Sequence, residues 1–398
     1  PKPPLPGPAP SSTYTDAEWA KIVEAARKEG KLMVYANPSF ISWKETAVRE
    51  GMKEAYGIDV EMIRGPAATM VERLQTETRA GVYVADIFQG FATVTSVLEK
   101  LGFLKVIDNL PSLKYVNNPD VWYYNPLLSP SFVAAPATWP AGGGNYNYST
   151  KVVPPERVPV KLQELLDPYW KGKVCMVDPV TSPGQSDYTL WVGGRSLGYQ
   201  DWFLDFFYDL MNKDAGRIYW FLLGTPNPWY TGECGLTWWT GGSAAGMKQT
   251  VVQDKVTWEK IGSFEEPLLP LNVRPIIEGV LKTAPHPNAA LVFINWFLSQ
   301  EGQTKYVTQE GLEISARRDV TSPVEKIYYS EKPATHYWVV EFDEYLFESY
   351  VYALKINFKM MKEGMSKAAW LKAVKDASLA YWGQFPPPPI TVLPASQD

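Results

Sequence analysis

The sequence predicts an α/β protein of two lobes with an interlobe cleft and an added C-terminal helical extension, and three observations carry that expectation. Helical and strand patterns alternate at least three times within the first hundred residues, which favours a parallel sheet with helices on its faces. Two proline-bearing stretches, one near Ala134 and one from Pro267 to Pro275, read as crossings between lobes. The chain of 398 residues is also long enough to bury two cores.

The opening PKPPLPGPAP cannot propagate a helix and has few side chains to bury, so residues 1–13 read as an extended tether. Thr15 and Glu18 stand at capping-box spacing, Trp19, Ile22, Val23 and Ala26 share one helical face, and Gly30 is a natural stop. The strand Lys31–Ala36 follows. A second helix, from about Trp43 to Tyr56, ends at Gly57, and Ile58, Val60 and Met62 then alternate as a strand closing at Arg64. A third helix, Ala67–Ala80, leads to the apolar strand Tyr83–Phe88. Ligands of open α/β sheets bind beyond the carboxyl ends of the strands. The turns there offer Asn37 and Ser39, Arg64 and Gly65, and Gln89 and Gly90.

The run AAPATWPAGGGNYNYS, from Ala134, reads as an irregular connection. A second α/β block follows, with a strand Lys173–Val177, the turn DPVTSPGQSD and helical patterns through Met211. The glycine- and aromatic-rich stretch from Gly224 to Gly242 reads as a functional loop or a packed corner. Beyond residue 320, Leu346, Tyr350, Ala353, Leu354, Phe358 and Met361 trace an apolar helical stripe, a second helix runs from Ser366 to Trp382, and PPPP at 386–389 marks a non-helical tail. These readings give lobe 1 as 14–130 with 265–320, lobe 2 as 131–264, and a helical extension over 321–398 that packs on lobe 2.

The net charge of −5 leaves no basic surplus for a phosphate backbone, so nucleic acid is not expected as a partner, and anionic membrane surfaces are disfavoured. With no apolar run of about 18 residues, the protein is either cytosolic or one whose signal segment has been removed. Cys175 and Cys234 fit no metal-site spacing and allow either one disulfide or two buried thiols. Aromatic residues reach 14%, enough to anchor cores and still line a ligand cavity. There is no GxSxG elbow, no HExxH and no Walker loop, and GGGNYN misses the last glycine of the dinucleotide fingerprint. Neither catalysis nor a cofactor is expected.

The run APHPNAALVFINWFLSQEGQ at 284–303 closely resembles the signature of family 1 extracellular solute-binding proteins, in the branch that includes the ferric-iron binders. LEKLGFLK at 98–105, ADIFQG at 85–90, NYSTKVVPPERVP with LLDPYWKGKVCMVDP between 147 and 179, and GLEISARRDV at 311–320 follow in the family's order. The resemblance covers about residues 14–320. It implies the type II periplasmic-binding-protein fold and a monomer that captures a small molecule by hinge closure and delivers it to ABC permease subunits. It also implies export with a signal segment, as a periplasmic or lipid-anchored protein. His286 reads as part of a proline-bounded helix start, with Asn288 as its cap, and not as a metal ligand.

The ferric binders of that family hold their ion with adjacent tyrosines, whereas the matching region here is Asn227-Pro228-Trp229-Tyr230, with one. The pairs Tyr123-Tyr124 and Tyr328-Tyr329 lie elsewhere, and Asn37-Pro38-Ser39 offers no histidine. The expected ligand is therefore a small organic anion. Ser182, Gly184, Gln185 and Ser186 stand at a helix start whose N–H groups favour an anionic group, and Arg64 suits a carboxylate, phosphonate or sulfonate. Trp139, Trp229, Tyr230, Trp238 and Trp239 would surround its apolar body. Capping and a surface ion pair are the structural readings of the same residues. Ferric iron, with Tyr230 as a ligand, is the alternative cargo, and a catalytic or sensory protein on this scaffold is the alternative of another class.

Overall fold

The computed structural model describes residues 8–36, 42–65, 67–90, 92–122, 125–141, 145–177, 200–212, 215–221, 232–237, 259–263, 271–310, 314–321, 336–339, 356, 359–360, 363–380 and 392–394. Mixed α/β throughout, it divides into two compact units, Pro1–Trp139 with Pro275–Glu325 and Pro140–Arg274 with Lys326–Asp398.

Unit 1 begins with helix α1 (Asp16–Glu29), set by the expected capping box. The Thr15 hydroxyl accepts from the Glu18 N–H at 3.3 Å, and the Glu18 carboxylate accepts from the Thr15 N–H at 2.9 Å. Gly30 closes α1 at φ +67°, where its N–H donates to Ala26 O at 3.0 Å. That left-handed residue turns the chain straight into strand β1 (Lys31–Ala36). Helix α2 (Ser42–Tyr56) ends at Gly57, φ +74°. Strand β2 (Asp59–Arg64) then lies parallel to β1, from Lys31 opposite Asp59 to Ala36 opposite Arg64. Helix α3 (Ala67–Arg79) leads to β3 (Ile87–Gly90), parallel to the other edge of β1, and then to α4 (Ala92–Lys100).

Strand β3 starts four residues later than its apolar pattern suggests. Val82 and Tyr83 are half exposed, and Asp86 engages Met33 twice, through N–H to carbonyl at 2.8 Å and carboxylate to Met33 N–H at 2.8 Å. The ladder to β1 begins only at Val34 opposite Ile87. The tether reading also needs correction at its end, because Pro8 O accepts from the Asn125 amide at 2.9 Å and Ser11 bonds Asp108.

The described parts of both stretches read as crossings, 134–141 with 145–149 and 271–275, are strands. Strand β4 (Leu127–Ser129) pairs with β5 (Phe132–Ala141), and β11 (Leu271–Val280) is antiparallel to β3. Proline was treated as a breaker, yet its fixed φ suits extended chain and removes only its own ladder N–H, so Pro136, Pro140 and Pro275 are accommodated. The unit 1 sheet runs β2-β1-β3-β11-β5-β12, with β12 at Ile314–Ser315, and is mixed instead of wholly parallel.

Helix α6 (Pro287–Phe297) is apolar all round and buries every residue from Ala289 to Phe297. Its one polar member in that span, Asn295, accepts the Ser112 N–H at 2.8 Å. Trp296 fills the space between α2 and helix α7 (Gln300–Glu310). A Cβ on Gly51 would lie 2.2 Å from the Trp296 ring, and one on Gly302 would lie 2.1 Å from the Trp296 carbonyl oxygen.

Unit 2 holds a sheet in the order β10-β6-β9-β7-β8, from β6 (Asn145–Ser149), β7 (Val174–Val177), β8 (Ile218–Phe221), β9 (Leu236–Thr237) and β10 (Glu259–Ser263). Strand β7 is parallel to β8 and β9, and a Cys175–Cys234 disulfide crosslinks β7 to the segment entering β9. That decides the open alternative for the two cysteines. Helix α5 (Asp201–Met211) buries Phe203, Leu204, Phe206, Phe207, Leu210 and Met211.

The C-terminal extension supplies α8 (Lys367–Ala380), which lies on α5. Trp370 stacks on Phe207 with ring centroids 5.8 Å apart, Tyr208 donates to Met365 O at 2.8 Å, and Lys367 reaches Asp205 and Asp209 at 3.1 Å. The extension is not wholly helical. Strand β13 (His336–Val339) runs parallel to the start of β11, and β14 (Val392–Pro394) pairs with β13. Of the apolar stripe 343–361, only Ile356, Lys359 and Met360 are described, with Ile356 and Met360 buried in helical turns.

Candidate functional site

In unit 1 the carboxyl ends of β1, β2 and β3 stand side by side, because the three strands are parallel and in close register. Arg64 is the last residue of β2, opposite Ala36, and Gly65 donates its N–H back to Ala36 O at 3.1 Å. The Arg64 side chain is 40% exposed and its Nε lies 3.7 Å from a Glu45 carboxylate oxygen. The other Glu45 oxygen takes Arg49 at 2.5 Å. Two guanidiniums thus share one carboxylate at the end of β2. At this exposure the pair with Arg64 contributes little to stability, under about 1 kcal/mol. Arg64 therefore stands in an ion pair, with Glu45 a member of the site that the sequence reading missed. Their separation of nineteen positions hid it.

Gln89 and Gly90 end β3 and are both buried. Gln89 Nε2 donates to Glu278 Oε1 at 2.8 Å, across the antiparallel pair in which Glu278 stands opposite Gln89. Gln89 is 2% exposed and Glu278 is fully buried. Gln89 thus faces a strand partner and not an open turn. Burial pushes the Glu278 carboxyl up to about 8, with the Gln89 hydrogen bond opposing that shift. Glu278 was missed because its segment was read as connection; a lone acid inside the apolar run of a strand is the signal that points to it.

Trp139 lies within β5. Asn37, Ser39, Ser182, Gly184, Gln185, Ser186, Trp229, Tyr230, Trp238 and Trp239 fall outside the described residues. Described strands lead to three of those segments: β1 ends at Ala36, β7 at Val177 and β9 at Thr237. The Thr237 hydroxyl is buried without a hydrogen-bond partner among the described residues, next to where Trp238 begins.

His286 is structural. It is the N-cap residue of α6, with its N–H on an Asp86 oxygen at 2.6 Å and its Nδ1 3.0 Å from the other. Asn288 is not the cap, since the side-chain capping falls to Glu29, which accepts from Ala289 N at 2.7 Å and from the Asn288 amide at 2.7 Å. Among the described residues there is no cluster of three His, Cys, Asp or Glu able to hold a metal. No helix among them is long and apolar enough to cross a membrane.

Solved structures that superpose on this chain include ferric-ion, thiamin and sugar-phosphate binding proteins. The ferric binding protein from Campylobacter jejuni superposes with a TM-score of 0.61 at 16% identity, covering 83% of this chain and 98% of its own. A periplasmic thiamin binding protein gives 0.59 at 16%, covering 86% and 96%. The periplasmic binding protein AfuA from Actinobacillus pleuropneumoniae, with exogenous fructose-6-phosphate bound, gives 0.55 at 14%, covering 89% and 99%. These likenesses establish the type II periplasmic-binding-protein fold. No curated protein matches in sequence. The family model that describes bacterial extracellular solute-binding proteins matches residues 37–304, and with two thirds of its length inside that match the chain belongs to this family.

Proposed function

We propose that the protein is the ligand-capturing component of a bacterial ABC importer, a monomer that binds a small organic anion and delivers it to a membrane permease. The observation that carries the choice of ligand is the convergence of Arg49 and Arg64 on the single carboxylate of Glu45, at the carboxyl end of β2. Two guanidiniums against one acid leave the trio with one positive charge, and a planar guanidinium suits carboxylate, phosphate or sulfonate oxygens. An anion leaving water requires such directed donors, while its apolar remainder gains from the aromatic residues of 229–239. The similar proteins name a sugar phosphate, thiamin and iron as their ligands, so the scaffold sets no chemistry by itself. The reading places the chain outside the cytoplasmic membrane, where a disulfide such as Cys175–Cys234 persists.

A thermal-shift screen of organic carboxylates, phosphate esters, sulfonates and ferric salts tests this reading. A ligand at 100 times its Kd adds about 2.7 kcal/mol of stability. The expected result is stabilisation by an organic anion that falls at least tenfold in affinity in Arg64→Ala, with the unliganded melting temperature unchanged. Stabilisation by ferric salts alone, lost in Tyr230→Phe, overturns it in favour of iron. Turnover of the bound compound would mark a catalytic protein instead.

A further inference from the structure

Glu278 and Gln89 hold two oxygens that hydrogen bonding leaves unanswered. Gln89 Nε2 donates to Glu278 Oε1, yet Glu278 Oε2 and Gln89 Oε1 are each buried without a partner among the described residues. Both orphans are acceptors, and a buried pair of acceptors lacks a proton between them. The planar amide and the planar carboxyl already share one hydrogen bond. Placing a proton on Oε2 lets the acid O–H donate to the amide oxygen, and the two groups then satisfy each other reciprocally.

Among the described residues no charged side chain answers either oxygen. At Glu278, strand β11 is flanked by β3 and β5, whose sequences IFQG and FVAAPATWPA contain no ionisable side chain; Arg274 on β11 itself and His336 on β13, which pairs with the start of β11, have side chains outside the described residues. Helix α4, packed on β3, brings Glu99, which is bonded to Ser129, and Lys100 on an exposed position. Beyond β3, β1 brings Tyr35, whose hydroxyl donates to Glu77. Burial is the principal influence on the Glu278 carboxyl and raises its pKa, and the hydrogen bond from Gln89 opposes that rise.

We propose that Glu278 is a neutral carboxylic acid in the native protein, donating its proton to Gln89 and forming a proton-dependent lock between β11 and β3. Strand β11 is one of the passages of the chain from unit 2 into unit 1, and Gln89 and Gly90 are the last two residues of β3. Loss of the proton to solvent leaves a buried carboxylate oxygen facing the amide oxygen, and that contact turns from attraction to repulsion. The pair is therefore tight in acidic and neutral surroundings and loosens in alkaline ones. The same strand pair carries one edge of the candidate site, so the lock adjusts how firmly that edge is held.

Infrared difference spectroscopy on the unliganded protein tests this directly, since the C=O stretch of a protonated carboxyl is separate from carboxylate bands. One protonated-carboxyl band is expected to persist at neutral pH, to titrate away in the alkaline range, and to be missing from Glu278→Gln. Hydrogen exchange at the β3 and β11 amides is expected to quicken at least tenfold from pH 6 to pH 9 in the wild type and to lack that added acceleration, beyond the intrinsic pH effect, in Glu278→Gln. The amide variant can form a reciprocal pair with Gln89 and so is built to fold. A wild-type spectrum in which every carboxyl band disappears below pH 6 overturns the proposal, as does the same exchange acceleration in the variant. Neither readout involves the transported solute, so failure here leaves the anion-binding reading standing, and the reverse also holds.

Discussion

Glu29, the last residue of α1, accepts the backbone N–H of Ala289 at 2.7 Å and thereby caps a helix 260 positions further along the chain. Its second oxygen takes the Asn288 side chain at 2.7 Å. A carboxylate at a helix N-terminus satisfies orphan N–H groups and opposes the helix dipole favourably. Glu29→Ala is expected to lower stability by about 1–2 kcal/mol. Urea denaturation checks this, with a lower midpoint at an unchanged slope. An unchanged midpoint would show that water replaces the cap without cost.

Glu278 makes stability depend on pH in the direction opposite to a salt-bridged acid. Its folded pKa, about 8, lies above the ordinary 4.5. Below the ordinary value both states are protonated and the contribution is fully present. Between the two values the unfolded state has lost a proton that the native state keeps, so stability falls by up to about 1.4 kcal/mol per pH unit from this group. Calorimetry from about pH 5 to 9 is expected to show a steeper decline in the wild type than in Glu278→Gln. Parallel curves would refute the assignment.

The disulfide closes a separation of 59 residues in unit 2. Chain-entropy reasoning gives about 4 kcal/mol for a loop of that length. Replacing Cys175 and Cys234 together by Ala is expected to cost a similar amount, read from denaturant midpoints. Adding dithiothreitol to the wild type should have the same effect, slowly, because both sulfurs are buried.

Trp370 is fully buried and stacked on Phe207, so it anchors α8 to α5. Trp370→Ala is expected to cost about 3–5 kcal/mol by large-to-small truncation. Limited proteolysis should then cut between residues 363 and 380 well before it cuts unit 1. Simultaneous digestion of both units would show instead that α8 is part of a single cooperative structure.

Local signals were the legible part of the sequence. Thr15 with Glu18, Gly30 and Gly57 mark helix ends by interactions made within a few residues, and the structure has them where the spacing puts them. Proline was misleading in β5 and β11, because its effect depends on whether its missing N–H would have been needed by a neighbouring strand. The same long-range dependence hid three side-chain contacts: Glu45 with Arg64, Glu29 with the Ala289 N–H, and Gln89 with Glu278. None follows a periodicity, since each is set by register or packing between distant segments. For the candidate site this means that Arg64 was found as a residue type at a strand end, while the acid that tempers its charge was not.

Trp296 imposes a different sort of constraint. Neither Gly51 nor Gly302 needs a left-handed backbone; both are glycines because the indole and its carbonyl occupy the space a methyl group would take. Over evolutionary time such a junction permits almost no drift, since a bulkier residue at Gly51 requires the indole to shrink at once and leaves a hole, while one at Gly302 meets a backbone carbonyl that no substitution at position 296 removes. Among relatives that have changed their cargo, Gly51 and Trp296 are expected to be lost or kept together, while Gly302 stays whatever residue occupies position 296.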